Sequence, residues 1–96
     1  MVEIRHTHEF KLWLVHQRGK RARGLVLAHV DRLQLALPSD VHQVKPELFE
    51  MRIEQGLGYR LYFVYLDPTT IVLLSAGDTR TQERDIQLAS KLAINI

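Results

Sequence analysis

Cysteine is absent from this chain of 96 residues, which excludes disulfide staples and thiolate metal sites and fits a reducing compartment. Three prolines and five glycines leave no linker, low-complexity segment or internal repeat. No window approaches the ~20 consecutive apolar residues that a membrane-spanning helix needs. The opening Met1-Val2-Glu3-Ile4-Arg5 does not read as a secretory leader, so the expected compartment is the cytoplasm. Also missing are a phosphate-cradling glycine loop, an HExxH helix and a Ser/His/Asp set at diagnostic spacing. Gly56-Leu57-Gly58 is too short for a nucleotide cradle and reads as turn chemistry. Neither a cofactor nor a metal is implied. His6 and His8 could project from one side of an extended segment, but they lack a third ligand.

What remains is ordinary for a soluble globular protein: 46% hydrophobic and 25% charged residues, formal charge +2, enough for one domain spanning 1–96 and too little for a second core. The charge is uneven. Residues 1–46 hold eight Lys/Arg against four Asp/Glu, and residues 47–96 hold five against seven. Such a split permits a polyanion on the basic side and a basic partner on the other, although solvated surface charge accounts for most asymmetries of this size.

Local patterns supply the elements. Val2 to His6 alternates apolar and polar as a short strand does. Thr7 is placed to cap a helix carrying Glu9 in its first turn and Phe10, Trp13 and Leu14 on one face, running to Gln17 before Gly19 breaks it. From Arg21 a second helix shows Ala22, Val26, Val30, Leu33 and Leu37 as a stripe, widened by Leu25, Leu27 and Leu35 and ended at Pro38. The short link predicts an antiparallel helical hairpin. Residues 41–47 read as irregular. Leu48–Glu54 and Tyr59–Leu66 then alternate around the Gly-containing turn as a β-hairpin. Asp67-Pro68-Thr69-Thr70 makes a turn, and Ile71-Val72-Leu73-Leu74 suits a central strand covered on both sides. Thr79 and Gln82 match a capping box for a last helix with Ile86, Ala89, Leu92 and Ala93 inward. The expectation is a small α+β domain of order β-α-α-β-β-β-α, its helical hairpin and C-terminal helix packed on one face of a mainly antiparallel four-stranded sheet.

Parity selects the candidate site. Side chains alternate with period two, so any register that keeps Met51 and Ile53 on the face of Tyr59 and Leu61 gathers Glu50, Arg52, Arg60 and Tyr62 on the other. Two readings of the arginine pair stand open. Arg52 and Arg60 can form cross-strand ion pairs with Glu50 and Glu54, a common outcome on solvated sheets. Or they can bind an anion, since like charges across a ladder need a counter-charge or a role. Tyr62 can stack on a base, supply a proton-transferring hydroxyl, or merely cover the sheet. Arg80 can reach the same face or lie in solvent, and His42, in the loop before the hairpin, can approach it as acid, base or phosphate donor. Arg18, Lys20, Arg21 and Arg23 form a basic cluster at the helical hairpin's tip. It is either a solvated helix end or a phosphate contact, sequence-independent and salt-sensitive.

Taken in order, Phe10-x-x-Trp13-Leu14, Arg21-Ala22-Arg23, Asp31-Arg32-Leu33, Glu50-Met51-Arg52-Ile53, Gly58-Tyr59-Arg60-Leu61-Tyr62-Phe63 and Gly77-Asp78-x-x-Thr81-Gln82-x-x-Asp85-Ile86 cover nearly the whole chain. In this order and spacing the sequence resembles the RelE/ParE superfamily of toxins from bacterial toxin–antitoxin modules, and most of all its HigB-like branch, the phage-derived addiction-module killer proteins. The resemblance implies a growth inhibitor neutralised by a cognate helix-turn-helix antitoxin, acting on mRNA, in association with the ribosome, as a metal-independent endoribonuclease. Operator DNA would be reached only through the antitoxin, and no membrane is involved. It implies 2′-hydroxyl attack on the neighbouring phosphate, with Arg60 matching the arginine that stabilises the transition state and Arg52 at a basic position of the preceding strand. Arg80 follows Thr79, which stands where the branch has lysine after Gly-Asp. His42 replaces a lysine of the branch, and Asp85 occupies the region of a C-terminal tyrosine found in some RelE enzymes. With the basic cluster left for RNA, the implied centre is Arg52, Arg60 and Arg80, with His42 or Tyr62 for proton transfer. The superfamily also contains ParE-like toxins that poison DNA gyrase by binding alone, and a third possibility is a non-toxic relic that only binds its antitoxin.

Overall fold

Thr7 does cap the first helix: its Oγ1 accepts from the Phe10 N–H at 3.0 Å, and its hydroxyl donates to the Leu74 carbonyl, so one side chain starts the helix and ties it to the sheet. The computed structural model describes all 96 residues. They run β1 (Glu3–His6), α1 (His8–Val15), α2 (Lys20–Gln34), β2 (Val41–Lys45), β3 (Leu48–Ile53), β4 (Tyr59–Asp67), β5 (Thr70–Gly77) and α3 (Gln82–Ile94). The strands form one sheet in the order β1-β5-β4-β3-β2, with β1 parallel to β5 and the other pairs antiparallel.

This is the expected α+β domain with two corrections. First, the sheet has five strands instead of four, because the stretch read as irregular supplies β2. Its valines face opposite sides, Val41 towards one core and Val44 towards the other, and the register shifts between Gln43 and Lys45. No single apolar face results, and no alternation announces the strand. Second, the helices do not share a face. Val26 and Leu33 of α2 and Phe10 of α1 pack with Met51, Ile71 and Leu73 on one side, while Ala89 of α3 packs with Leu48, Tyr62, Val72 and Leu74 on the other. β5 is buried along its whole length, as its unbroken apolar run predicts, and a strand buried on both faces requires cover on both. Between Tyr62/Ser75 and Phe63/Leu73 the register slips by one residue. The bulge lets Leu74 join the α3 core while Ser75 still bonds the Asp85 carbonyl of α3.

The second helix ends earlier than Pro38 would require. Ala36 adopts φ 56°, the Leu37 N–H returns to the Arg32 carbonyl and the Ala36 N–H to that of Leu33. That is the Schellman closure of a helix whose last regular residue is Gln34. Leu27, Leu35 and Leu37, expected in the buried stripe, are exposed. Leu27 lies one residue, about 100° of helix rotation, past Val26; Leu35 and Leu37 fall in or beyond the closure. At the C-terminal end Ala89 is fully buried and Ile86, Leu92 and Ala93 pack partly beside it, as the pattern predicts. No helix is long and apolar enough to cross a membrane.

Candidate functional site

The β3–β4 ladder pairs Arg52 with Arg60 and Glu50 with Tyr62, so all four project from one face, the one that α3 partly covers. Direct Cα partners approach to about 4.5–5.5 Å, too close for two guanidiniums without compensation. Glu50 compensates. Its carboxylate has no exposed side-chain surface and accepts four hydrogen bonds. Oε1 takes Arg52 Nε at 2.8 Å and Arg60 Nη1 at 3.3 Å; Oε2 takes the Tyr62 hydroxyl at 2.9 Å and Gln82 Nε2 at 2.7 Å. Burial works to raise the Glu50 pKa, but the bonds from Arg52, Gln82 and Tyr62 and the charge of Arg60 outweigh it and hold the group below the ordinary carboxylate value. Burial, then the bond to Glu50, pushes the Tyr62 phenol well above its usual range.

At the outer edge of this face β2 pairs His42 with Glu50, placing the imidazole in the next position along the same row. His42 Nε2 lies 2.6 Å from Asp40 Oδ1. A carboxylate only accepts, so Nε2 carries the proton and Nδ1 of the neutral ring is the basic nitrogen. Asp40 also acts electrostatically on Arg52 and accepts the Arg52 backbone N–H through its carbonyl. The face therefore holds two guanidiniums, two carboxylates and one imidazole. Arg60 keeps 15% of its side chain in solvent and Arg52 35%, and the buried Arg60 Nε makes no hydrogen bond within the protein. No set of three or more His, Cys, Asp or Glu is grouped as metal ligands.

A protein of uncharacterized function from Haemophilus influenzae Rd is 36% identical over 92 residues, covering 96% of this chain and 93% of its own length. The chain belongs to that protein's family. No protein-family model matches it. Among solved structures, a chain of the intact E. coli RelBE toxin–antitoxin complex superposes with a TM-score of 0.67 at 12% identity, covering 82% of this chain and 98% of its own. The isolated E. coli RelE toxin gives 0.66 at 11% identity, covering 91% and 97%. Likeness at that identity concerns the fold, and the fold here is RelE-like: three helices with a five-stranded mixed sheet.

Within this RelE-like frame the sequence-selected residues separate into three groups. Arg52, Arg60 and Tyr62 share a face as parity requires, and His42 joins them from β2. Tyr62, expected in the open, is instead fully buried beneath α3. It cannot stack on a base, and its hydroxyl is committed to Glu50. Arg80 does not join the cluster: its guanidinium binds the Asp78 carboxylate at 2.8 Å and is 76% exposed, and the cleft it borders is lined also by Trp13, Gln17 and Tyr59. Arg18, Lys20 and Arg21 are exposed at the start of α2, and Arg23 donates to the Gln17 carbonyl at 2.8 Å. The expected capping box is also absent. Thr81, not Thr79, precedes α3, and Gln82 turns its amide to Glu50. Sequence reasoning missed Gln82 and Asp40 as members of the site. Asp40-x-His42 was the visible signal for one, while nothing local marks Gln82, 32 residues from Glu50.

Proposed function

We propose that this chain is the toxin of a toxin–antitoxin module of the HigB-like kind, acting on mRNA at the Arg52–Arg60 face and neutralised by a cognate helix-turn-helix antitoxin. The observation that carries this reading is the pairing of two guanidiniums across one ladder, on a RelE-like fold, beside an Asp40–His42 pair. The parts suit cleavage by an internal nucleophile. His42 Nδ1 accepts the proton of the 2′-hydroxyl, whose oxygen attacks the adjacent phosphorus. Arg60 and Arg52 stabilise the charge gathering on the non-bridging oxygens. The P–O5′ bond breaks, a proton from His42 or water reaches the leaving oxygen, and a cyclic phosphate and a 5′-hydroxyl result. An entering anionic oxygen meets the part of Arg60 that stays in solvent, 15% of its side chain, and not its buried Nε. Tyr62 and Gln82 serve by holding Glu50 in place, and Arg80 has no part in this step. Ribosome association belongs to the same reading, with operator DNA contacted only through the antitoxin.

Induction of the chain without antitoxin, with genome-wide mapping of mRNA 5′ ends, tests it. New codon-phased ends that vanish with Arg60→Ala are the expected result, and growth arrest with intact mRNA sinks it. One observation favours a second reading. Both arginines already have a carboxylate partner in Glu50, and Asp40 adds another negative charge, so the face is close to neutral. A ParE-like toxin that binds gyrase, or a chain that only binds its antitoxin, needs no free guanidinium. An SOS response on induction selects the former, and normal growth the latter.

A further inference from the structure

The cationic surplus of the molecule lies elsewhere than on the arginine face. Arg18, Lys20, Arg21 and Arg23 fall within six residues at the start of α2, whose first turn contains no acidic residue. None of the four is in an ion pair. Beside them opens a cleft of about 600 Å³ lined by Arg18, Arg21, Gln55 and Gly56, with half-buried Leu25 and the edge of the largely buried Tyr59 as its apolar part. Basic rim, apolar part and a neutral amide make a nucleotide-shaped combination: phosphate to the arginines, base on the apolar part, amide to a base edge. Its position matters as much. Tyr59 and Arg60 are consecutive, and successive side chains on a strand face opposite sides of the sheet. A strand leaving the cleft over the Gln55–Gly58 turn therefore reaches the Arg60 face within a few nucleotides.

We infer that this cleft is an anchoring subsite for single-stranded RNA, holding the strand by Arg18 and Arg21 with one base against Leu25 and the exposed edge of Tyr59 while a neighbouring phosphate lies over Arg60. The inference rests on the RNA reading above, and its test is independent of cleavage. A 12-nucleotide 2′-O-methyl RNA lacks the attacking hydroxyl and is bound without being cut. Trp13, the sole tryptophan, packs edge-on to Tyr59 with ring centroids 5.9 Å apart, so a base against the edge of Tyr59 changes its emission and gives a readout that needs no variant.

Binding of that RNA is expected to quench Trp13 and to fall with salt, with a log–log slope near −2.8, at about −0.7 for each of four phosphates, those facing Arg18, Lys20, Arg21 and Arg60. Arg18→Ala with Arg21→Ala should bring the slope to about −1.4 and weaken binding about 20-fold at 0.1 M salt. Lys91→Ala, exposed near the other end of α3, should cost no more than one unremarkable surface charge. An Arg18/Arg21 variant that melts like the wild type yet binds no worse than Lys91→Ala overturns the assignment. So does RNA binding that leaves Trp13 emission unchanged. Poly-glutamate binding as tightly with the same dependence on Arg18 and Arg21 also overturns it, in favour of an acidic protein segment. RNA bound in the cleft with no mRNA cuts in induced cells supports the cleft and removes the nuclease. Cuts that persist with unaltered affinity in the Arg18/Arg21 variant do the reverse.

Discussion

Arg52 and Arg60 are direct partners across the β3–β4 ladder, and both donate to the same oxygen, Oε1 of Glu50. A face that parity presents as an open cationic patch is thus a neutralised cluster with a buried carboxylate at its centre. The two readings of the pair are compatible: Glu50 permits the close approach, and what the outer edges of the guanidiniums do is a separate matter.

Removing Glu50 should expose that dependence. Glu50→Ala leaves two like charges opposed and strands the Tyr62 hydroxyl and the Gln82 amide. Losing one partner of a buried pair destabilises by about 3–5 kcal/mol, and the solvent kept by Arg52 places this case at about 2–4 kcal/mol. Urea unfolding measures it, and a loss below about 1 kcal/mol would mean that water replaces the carboxylate. The pH dependence follows the same group. Its folded pKa is depressed, so its stabilisation is complete above the ordinary glutamate value and is lost as pH falls through the lower folded value. Glu50→Gln should be less stable than wild type at pH 7, with the gap closing as the medium is acidified below 4.5.

Arg60→Ala should separate function from folding. Glu50 keeps Arg52, Tyr62 and Gln82, so the fold loses one long hydrogen bond to a charged group, about 1–2 kcal/mol. If the arginine face acts on RNA, the variant should be non-toxic on induction while still co-purifying with its antitoxin. Full growth arrest by folded Arg60→Ala would remove this residue from the mechanism. Arg60→Lys should rescue poorly, because a single ammonium cannot reproduce the planar fork towards both Glu50 and an incoming oxygen.

Ala36 holds φ 56° at the closure of α2, a conformation that costs a residue with a Cβ about 1–2 kcal/mol relative to glycine. Ala36→Gly should therefore raise the stability by about 1 kcal/mol, visible as a higher urea midpoint at unchanged m. A loss of stability would mean that the gain in unfolded-chain entropy outweighs the relief.

Legibility in the sequence tracked the range of the signal. Thr7 and the unbroken apolar run of β5 act through their neighbours, and each performs as its pattern predicts, whereas α1 stops at Val15, short of the expected Gln17, and Gly19 serves as the cap position of α2. Parity puts Arg52, Arg60, Glu50 and Tyr62 on one face without the exact register, because period two leaves no other arrangement that keeps the opposite face apolar. What parity cannot supply is the cover. Whether Tyr62 is open or buried depends on which side α3 crosses, and that follows from the need of β5 for two coats, a long-range condition. The helix end at Gln34 hides because Ala36 does a task usually signalled by glycine. β2 hides because its bulge and its two-sided valines erase the alternation that marks a half-buried strand. Gln82 reads as part of its own helix's capping box because that signal is local, whereas its partner lies 32 residues away.

Gly77 and Asp85 provide the most stringent check on how β5 meets α3. A Cβ at Gly77 would lie 1.7 Å from Asp85 Oδ2 and 2.5 Å from Thr81 Oγ1, so the strand's last residue is glycine because a carboxylate occupies the space of a side chain. Thr81 donates its hydroxyl to that carboxylate, and Ser75 donates to the Asp85 carbonyl at 3.1 Å. Gly77→Ala must push α3 outward or force Asp85 into another rotamer, disturbing the same turn from which Gln82 reaches Glu50. The single substitution should be strongly destabilising, and adding Asp85→Ala should recover part of the loss, with a coupling of about 1–3 kcal/mol in a double-mutant cycle. Additive effects would show that the clash relaxes elsewhere. Asp85 also carries an opposite pH signature. Burial raises its pKa above the usual aspartate value, so ionisation opposes the fold. Its contribution therefore improves as pH falls through the raised folded pKa, and is complete below 3.8. Asp85→Asn keeps an acceptor for Thr81 and removes the charge. It should be at least as stable as the wild type at pH 7, with the advantage vanishing in acid. A variant less stable at neutral pH would instead mean that the carboxylate charge is answered by the amides at the start of α3.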